Sequence, residues 1–420
     1  MGDTSMDAPL SIAILGLSVM VMFMPLRHMV WPLAVCAACI PASPGVEMDV
    51  FTFTGLRLVL LMAGIRFLLR GEFRLITLNT LDVWVLLWVA WSLISSFLHA
   101  DMAASLVNRL GLAYNVIGIY FYWRITIRSE ADAWRGCGVL ALVLIPLSVE
   151  MILEQTNGTN LFHIFGGVPE LAESRGDRIR AQGPFSHPIL AGTAGAVVLP
   201  LMMGYWNYHK GLAMLGILSC LIMVITSASS GPILATLAGL TGLCLRNNPV
   251  RIRWMLVCLG SGYIGAEMLM QAPAYYLISY IDLAGGSTGW HRAALIEAAF
   301  NHADEWWLAG SDYTRHWLAY GVSWSTQHVD ITNYLVRMGV DGGVLQIVLF
   351  LLVLRTGFNL PPGQGVAFRA SLTAHTISFL SISYFDQSIV FLYLTLALAA
   401  TVKTIILPQP EVSCPVYTRY

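Results

Sequence analysis

The sequence predicts an all-α membrane protein that crosses the bilayer many times. Of its 420 residues, 57% are hydrophobic and only 11% are charged, whereas a soluble domain carries about 25% charged residues. Apolar runs of roughly 16–24 residues recur along the chain between short polar segments. Lipid permits only helices or closed barrels, and these runs are too continuous for barrel strands.

Thirteen apolar runs define the predicted membrane spans. They lie at 9–24, 29–42, 54–70, 81–98, 107–124, 136–153, 188–206, 212–228, 231–245, 254–270, 331–354, 368–384 and 388–406. The first two are short and could form one hairpin. We therefore expect twelve to thirteen transmembrane helices in a single membrane domain over residues 1–420.

Basic residues on alternate connections set the predicted orientation. Arg70, Arg128, Lys210 and Arg355 all lie on connections that alternate with poorly basic ones. Because Lys and Arg are enriched in cytoplasmic loops, that side is predicted to be cytoplasmic and the N-terminus to lie outside. The net charge of −1 leaves no basic field that would indicate nucleic-acid binding.

Two connections on the predicted exterior side are unusually long, at 154–187 and 271–330. Loops of this length are generally functional or disordered. The second is rich in tryptophan, with Trp290, Trp306, Trp307, Trp317 and Trp324. We therefore expect two folded periplasmic loops that pack partly against the membrane.

The first long loop carries cations that the orientation rule does not require. Arg178, Arg180 and His187 precede Pro188, which suits the first turn of the next helix. That helix end carries about half a positive charge from its free N–H groups. Cations held there repel one another unless an anion joins them, so the stretch predicts an anion site.

A structural alternative exists for part of this loop. Arg175 and Arg178 could instead pair with Glu170, Glu173 and Asp177 in a solvated segment. Arg180 differs because the Gly-Pro turn directly after it holds it near the membrane surface.

The second long loop repeats the arrangement. Thr288 is a plausible N-cap, and His291 and Arg292 then fall in the first turn of an amphipathic helix. A positive side chain at the N-terminal end of a helix is unfavourable, and each one costs about 0.3–1 kcal/mol. A phosphate there would turn each cost into a contact, and Gly289 would allow its close approach. The alternative is an exposed helix with a misplaced arginine.

A third constellation begins at His328, just before a long apolar span. An imidazole has an unperturbed pKa near 6.5 and is suited to moving a proton at neutral pH. Gly339 and Gly342 follow in the span, where small residues let helices approach closely. The alternative is a structural histidine that pairs with Asp330.

These stretches together resemble the bacterial O-antigen ligase and O-antigen polymerase superfamily. The family's histidine motif has His, a polar residue, nine residues, Gly, two residues and a small or polar residue. His328, Gly339 and Gly342 match it, whereas Val329 replaces the polar residue. "RAQGPFSHP" from Arg180 is similar to the family's arginine site.

Two further segments extend the resemblance, which covers roughly residues 150–350. "WHRAALIEAAF" is similar to the second arginine site, with Arg292 in its place. "SSGPILATLAG" from Ser229 resembles a third family segment, although Pro232 follows the glycine and no arginine precedes it.

The resemblance implies a GT-C-type glycosyltransferase at the outer face of the bacterial inner membrane. Its donor would be a glycan on undecaprenyl diphosphate, transferred with inversion and without metal or cofactor. Arg180 and Arg292 would stabilise the leaving diphosphate, and His328 would activate the acceptor hydroxyl. The predicted substrate-binding residues are Arg178, His187, Gly289, His291 and Tyr334.

Three readings of the activity remain open. A polymerase would join lipid-linked repeat units of O-antigen or exopolysaccharide, and a ligase would transfer glycan to the lipid A core. A secondary transporter or flippase for an anionic lipid or solute belongs to another class. Transporters place charge near the bilayer midplane, and only Arg57, Arg109, Glu150 and Glu267 come close to that here.

Overall fold

A computed structural model of the chain describes residues 7–42, 45–48, 51–176, 178–245, 249–283, 285, 289–318, 326–361, 363–385 and 387–406. Most of these residues are helical. The first seven helices are α1 (Ala8–Phe23), α2 (Val30–Cys39), α3 (Gly55–Leu69), α4 (Thr80–Ser95), α5 (Met102–Thr126), α6 (Glu130–Asn157) and α7 (Pro188–Tyr205). The others are α8 (Lys210–Thr226), α9 (Ser230–Cys244), α10 (Pro249–Leu269), α11 (Gly289–Asn301), α12 (Ala303–Trp306), α13 (Tyr334–Phe358), α14 (Val366–Ser378) and α15 (Gln387–Ile406).

Each of the thirteen predicted spans coincides with one of these helices, and α11 and α12 lie in the second long loop. Among the described residues, six helices are long and apolar enough to cross a membrane, or seven if a bent pair at Val250–Leu269 and Ala274–Tyr280 is one span. Four further apolar helices have 10–17 residues. The predicted helical architecture is confirmed, and six or seven helices could span a membrane. The predicted count of twelve to thirteen crossings exceeds the number of described helices that reach this length.

Two antiparallel hairpins depart from the all-α prediction. Strands β1 (Gly45–Met48) and β2 (Phe51–Thr54) form one, and β3 (Glu173–Arg175) and β4 (Arg178–Arg180) form the other. The β3–β4 turn includes Gly176 at φ 59°. Its register sets Glu173 opposite Arg180, so the hairpin joins an acid to a base that are seven residues apart.

Contacts between the connections show which of them lie at the same end of the helix bundle. At one end, Gln387 Nε2 donates to Ile40 O at 2.9 Å and to Pro184 O at 2.8 Å. At the other, Arg124 pairs with buried Asp82 at 2.9 Å, and Thr401 Oγ1 donates to Ile127 O. Both long loops lie at the first of these ends, which we call the loop end. The predicted exterior connections therefore gather together, and the sidedness itself stays a prediction.

The second long loop is folded where it is described. It has a small apolar core of its own, formed by Leu295, Ala298, Ala299, Trp317, Val329, Ile331 and Val340. Trp324 lies outside the described residues. Val329, which departs from the family motif, is 3% exposed in this core. Its side chain is apolar because it packs inside the loop.

Helix α13 is broken where the loop crosses it. Gly342 and Gly343 have non-helical backbone angles, with φ 74° at Gly343. A Cβ at Gly339 would lie 2.6 Å from the Trp306 ring, and Trp91 Nε1 donates to Gly342 O at 2.8 Å. The predicted use of these glycines for close packing is confirmed. The second loop packs against α13 at these glycines, and His328 lies in the same loop just before the helix.

Candidate functional site

Arg180 lies at the loop end, at the last position of β4, and its side chain is 1% exposed. Its Nη1 donates to Glu173 Oε1 at 2.6 Å, its Nη2 to Ser229 Oγ at 2.7 Å and its Nε to Ser227 O at 3.3 Å. Burial lowers the pKa of Arg180, and Glu173 opposes that shift. The guanidinium is thus locked in place by the α8–α9 connection and by one carboxylate.

Glu173 is shared by several basic side chains. Besides Arg180, its Oε1 accepts from Arg175 Nη2 at 3.5 Å, and its Oε2 lies 3.5 Å from His187 Nε2. In the alternative drawn from the sequence, Glu173 pairs with Arg175 or Arg178. The structure pairs it most closely with Arg180, because the β3–β4 register sets those two residues opposite each other.

His187 does not act as a cation here. Burial, together with Arg180, lowers its pKa to about 4, so the imidazole is neutral at neutral pH. Its Nδ1 accepts from the Ile189 N–H at 3.1 Å and thereby caps α7. The expected positive charge at His187 is therefore wrong, and the residue orients the helix end instead.

Arg292 joins this group from the second loop. Burial lowers its pKa, and the positive charges of Arg175 and Arg180 lower it further. Within the described chain its one side-chain hydrogen bond runs from Nε to Ser381 O at 3.2 Å. Arg292 therefore lies close enough to Arg175 and Arg180 for their charges to repel one another, and within the described residues its terminal nitrogens make no hydrogen bond.

The remaining cationic and glycine candidates have different surroundings. Arg178 is exposed and lies beside Gly285 of the second loop. His291 is buried and hydrogen-bonds through Nε2 to Asp330 O at 3.1 Å. A Cβ at Gly289 would lie 2.5 Å from Ile278 O. The predicted open backbone at Gly289 is wrong, because neighbouring backbone fills that space. Thr288, the predicted N-cap, lies outside the described residues.

An apolar groove opens next to the cation group. It has a volume of about 500 Å³ and is lined by Gln155, Arg178, Ile179, Ile225, Ala228, Ile233 and Leu283. Ile225 is 69% exposed there. A larger cavity of about 800 Å³ lies at the opposite end of the bundle, around Glu130, Trp134 and Tyr208. The smaller groove is the relevant one because it adjoins the arginines.

His328 lies at the loop end beside a second set of charges. Burial lowers its pKa, and Arg337 is the next contributor; Asp341 acts in the opposite direction. Asp341 pairs with Arg109 at 2.9 Å and with Arg337 at 3.1 Å. His328 Nδ1 lies 3.3 Å from Thr314 Oγ1.

The two charge groups are joined through the start of α11. Asp330 accepts from His291 through its backbone oxygen, and His291 directly precedes Arg292. The pKa of Asp330 is raised by burial, and His291 opposes that shift. The structure thus associates Asp330 with His291, and the alternative that Asp330 pairs with His328 stays a prediction.

Tyr334 has a structural environment. It is 2% exposed and its ring packs with Phe379 at 5.1 Å and with Tyr384 at 5.4 Å between centroids. Its backbone N–H donates to Phe379 O at 2.8 Å. A direct substrate contact, as predicted, would require this aromatic cluster to open.

The charges considered for a transporter also have structural partners. Arg109 pairs with Asp341, and Arg57 Nη1 donates to Thr52 O at 2.6 Å. Glu150 Oε1 accepts from Leu161 N, and Glu267 Oε2 accepts from Ala274 N. Arg57 and Glu267 lie near helix ends, whereas Arg109 and Glu150 lie about two turns inside α5 and α6.

Sequence reasoning missed two features of the loop end. The role of Ser229 depends on the α8–α9 connection reaching Arg180, which no local pattern reveals. His302, Glu305 and His316 also converge in the second loop. The spacing of His302 and Glu305 by one helical turn is the only part of this cluster that the sequence displays, since His316 lies eleven residues beyond Glu305.

Comparisons with protein-family models, with curated proteins and with solved structures find no match for this chain.

Proposed function

We propose that the chain is a membrane glycosyltransferase that transfers a glycan from a polyprenyl diphosphate to a sugar hydroxyl. The observation that carries this proposal is the convergence of two buried guanidiniums, Arg180 and Arg292, from two different loops, where their charges repel each other. A dianionic ligand between them would relieve that repulsion. A GT-C-type architecture in a bacterial inner membrane, with the loop end in the periplasm, belongs to the same proposal.

The chemistry asks for cations at this position. As the glycosidic bond to the diphosphate breaks, negative charge grows on the leaving group. Guanidiniums stay charged and bind phosphate oxygens in pairs, so they can stabilise that charge. Each donor aimed at developing charge contributes roughly 3–4 kcal/mol in a site sheltered from water. Arg292 is the more accessible donor, and Arg180 is more deeply buried, where it pairs with Glu173.

The adjoining groove supports a lipid-linked donor. Its walls at Ile225, Ile233 and Leu283 are apolar, and Arg178 lies at its rim. A polyprenyl chain can remain against these side chains while its diphosphate reaches the arginines. A water-soluble anion would have no use for such a surface.

His328 is the proposed general base. Its lowered pKa keeps it neutral at neutral pH, which is the form that accepts a proton. The role requires the tautomer in which Nδ1–H donates to Thr314 Oγ1, because Nε2 then keeps its lone pair. General-base assistance contributes about 10²–10⁴ in rate.

The acceptor distinguishes the two members of the proposal. A polymerase elongates lipid-linked repeats, and we favour it, with O-antigen or exopolysaccharide as the product. A ligase would instead transfer glycan to lipid A core. If the protein is a ligase, its loss leaves the lipid A core without the transferred glycan. If it is a polymerase, its loss leaves only single repeat units.

The test separates donor binding from transfer. Binding of undecaprenyl diphosphate and undecaprenyl monophosphate is measured in nanodiscs for the wild type and for Arg180→Ala, Arg292→Ala and His328→Ala. We expect preference for the diphosphate, weaker binding in both arginine variants, and unchanged binding with lost glycan transfer in His328→Ala.

Equal amounts of folded protein are used, and transfer is assayed with lipid-linked oligosaccharides extracted from bacterial membranes. Near wild-type transfer in all three variants would overturn the proposal. Uptake of labelled undecaprenyl diphosphate across sealed vesicles, without new glycosidic bonds, would favour the flippase instead.

A further inference from the structure

A second cluster of polar side chains lies in the second loop, outside the proposed donor site. His302 caps α12, Glu305 lies one turn further on, and His316 belongs to the 3-10 helix Arg315–Leu318. Each offers one ligand atom, and these atoms all lie within 4.8 Å of one another. Two imidazoles and a carboxylate from two segments of the loop therefore meet at one point.

One oxygen of the carboxylate faces both rings. Glu305 Oε1 lies 2.8 Å from His302 Nδ1 and 2.9 Å from His316 Nε2. Glu305 Oε2 accepts instead from Trp317 Nε1 at 2.9 Å. The indole therefore fixes the carboxylate so that its other oxygen points at the imidazoles, as outer partners of metal ligands do.

Aromatic neighbours fix both ring planes. His302 stacks on Trp317 with centroids 5.7 Å apart and an interplanar angle of 7°. His316 stacks on Tyr313 at 5.3 Å and 6°. The two imidazoles themselves meet at 86°. Their ring nitrogens are held in direction before any ligand arrives.

The spacing suits a transition metal with short bonds. Zinc binds imidazole nitrogen at about 2.0–2.1 Å and carboxylate oxygen at about 2.0–2.2 Å. Two such ligands are about 2.9 Å apart at a right angle and about 3.4 Å apart at the tetrahedral angle, from those bond lengths. The observed 2.8 and 2.9 Å separations require shifts of no more than about half an ångström.

We propose that His302, Glu305 and His316 bind one divalent transition-metal ion of the zinc class. Imidazole and carboxylate are ligands that Zn²⁺ accepts, and the partial exposure of all three side chains leaves room for water to complete the shell. In a neutral imidazole the proton on the ligating nitrogen moves to the other ring nitrogen when the metal binds, whereas an imidazolium releases that proton to solvent.

The bound ion would act as a clamp within the loop. It ties α12 to the 3-10 helix Arg315–Leu318, which follows Thr314 directly. Thr314 in turn contacts His328 Nδ1. The metal site is separate from the arginine group and supplies no step of glycan transfer.

The test measures metal binding on the full chain, purified in detergent without a histidine tag. Co²⁺ is titrated by its visible absorption, and Zn²⁺ is added in competition. We expect one ion per chain, an affinity loss of at least about 100-fold in His302→Ala, Glu305→Gln and His316→Ala, and about 10–100-fold in Trp317→Phe. His28→Ala, at the opposite end of the bundle, is the matched control and should bind normally.

X-ray absorption of the zinc-loaded wild type gives a readout that needs no variant. Two imidazoles and additional oxygen ligands support the site. The metal site is overturned if the wild type binds metal no more tightly than the three single ligand variants do. A spectrum without imidazole ligands also overturns it. Neither result depends on whether the chain transfers glycans.

Discussion

Replacing Arg292 with Gln separates anion binding from folding more cleanly than any other change at the loop end. The side chain is 8% exposed, yet within the described chain its one hydrogen bond goes to Ser381 O. Burial and two neighbouring guanidiniums lower its pKa, which means that its charge is unfavourable in the empty site. The native structure thus tolerates a cation that an anion would stabilise.

The expected stability change of the empty protein is small. Loss of one hydrogen bond costs about 0.5–1.5 kcal/mol, and removal of a desolvated, repelled charge offsets part of it. Charge-assisted contacts to a bound diphosphate are worth about 1.5–3 kcal/mol. We therefore expect pyrophosphate to bind about 10–100-fold more weakly, with the unfolding midpoint of the empty protein almost unchanged.

Arg180→Gln should behave in the opposite way. Arg180 donates three hydrogen bonds, so its loss removes the shortest ion pair of Glu173 and the hydrogen bond that Ser229 Oγ accepts. Breaking a buried pair costs about 3–5 kcal/mol, and the 34% exposure of Glu173 reduces this to on the order of 2–3 kcal/mol.

Thermal unfolding in detergent, with and without inorganic pyrophosphate, measures both effects. Arg315→Gln is the matched control, because Arg315 lies in the same loop and also donates to one carbonyl, Leu318 O at 2.9 Å. It should leave the pyrophosphate-induced stabilisation intact. If Arg292→Gln destabilises the empty protein as much as Arg180→Gln and keeps full pyrophosphate stabilisation, the anion-site reasoning is refuted.

Three further predictions concern the same end of the bundle. Glu173→Gln should strengthen undecaprenyl diphosphate binding several-fold in a nanodisc titration while lowering the melting temperature, because the carboxylate both repels the ligand and pairs with arginine; weaker binding would contradict this. Because the pKa of His328 is lowered, the acid limb of transfer should lie below pH 6.5, where the imidazole becomes protonated. Arg337→Met should move that limb to higher pH in a rate-against-pH profile, since a positive neighbour is removed; an unmoved limb would exclude His328 as the base. Gly339→Ala should cost about 1–3 kcal/mol in unfolding free energy by overpacking, whereas Gly260→Ala, with open space around it, should not; equal effects would contradict the packing account.

The sequence predicted the helices well because membrane spans are a local property. A long apolar run must form a helix in lipid, so a helix at each of the thirteen positions could be read from hydropathy alone, whereas six or seven of the described helices are long enough to cross a membrane. The tight glycine packing on α13 was also predictable, since only a small residue fits where Trp306 meets Gly339. The β3–β4 hairpin was not, because three-residue strands carry too short a pattern.

The candidate site shows the same division. Arg180 and Arg292 stood out because positive charge at a predicted exterior helix start has no structural reason. His187 was misjudged, since its charge depends on burial and on Arg180, neither of which the sequence displays. Gly289 was misjudged for a similar reason: the backbone that encloses it comes from a distant segment. The aromatic cluster around Tyr334 could not be predicted either, because its members come from distant segments.

Composition and spacing by themselves determined that this chain is a helical membrane protein with cationic connections at one end. Tertiary structure decided which charges meet: Glu173 with Arg180 through a hairpin register, Arg292 with Arg180 through a second loop, and His302, Glu305 and His316 through a turn. Hydropathy acts on neighbours along the chain, whereas electrostatic and ligand geometry acts across space and depends on how the segments pack.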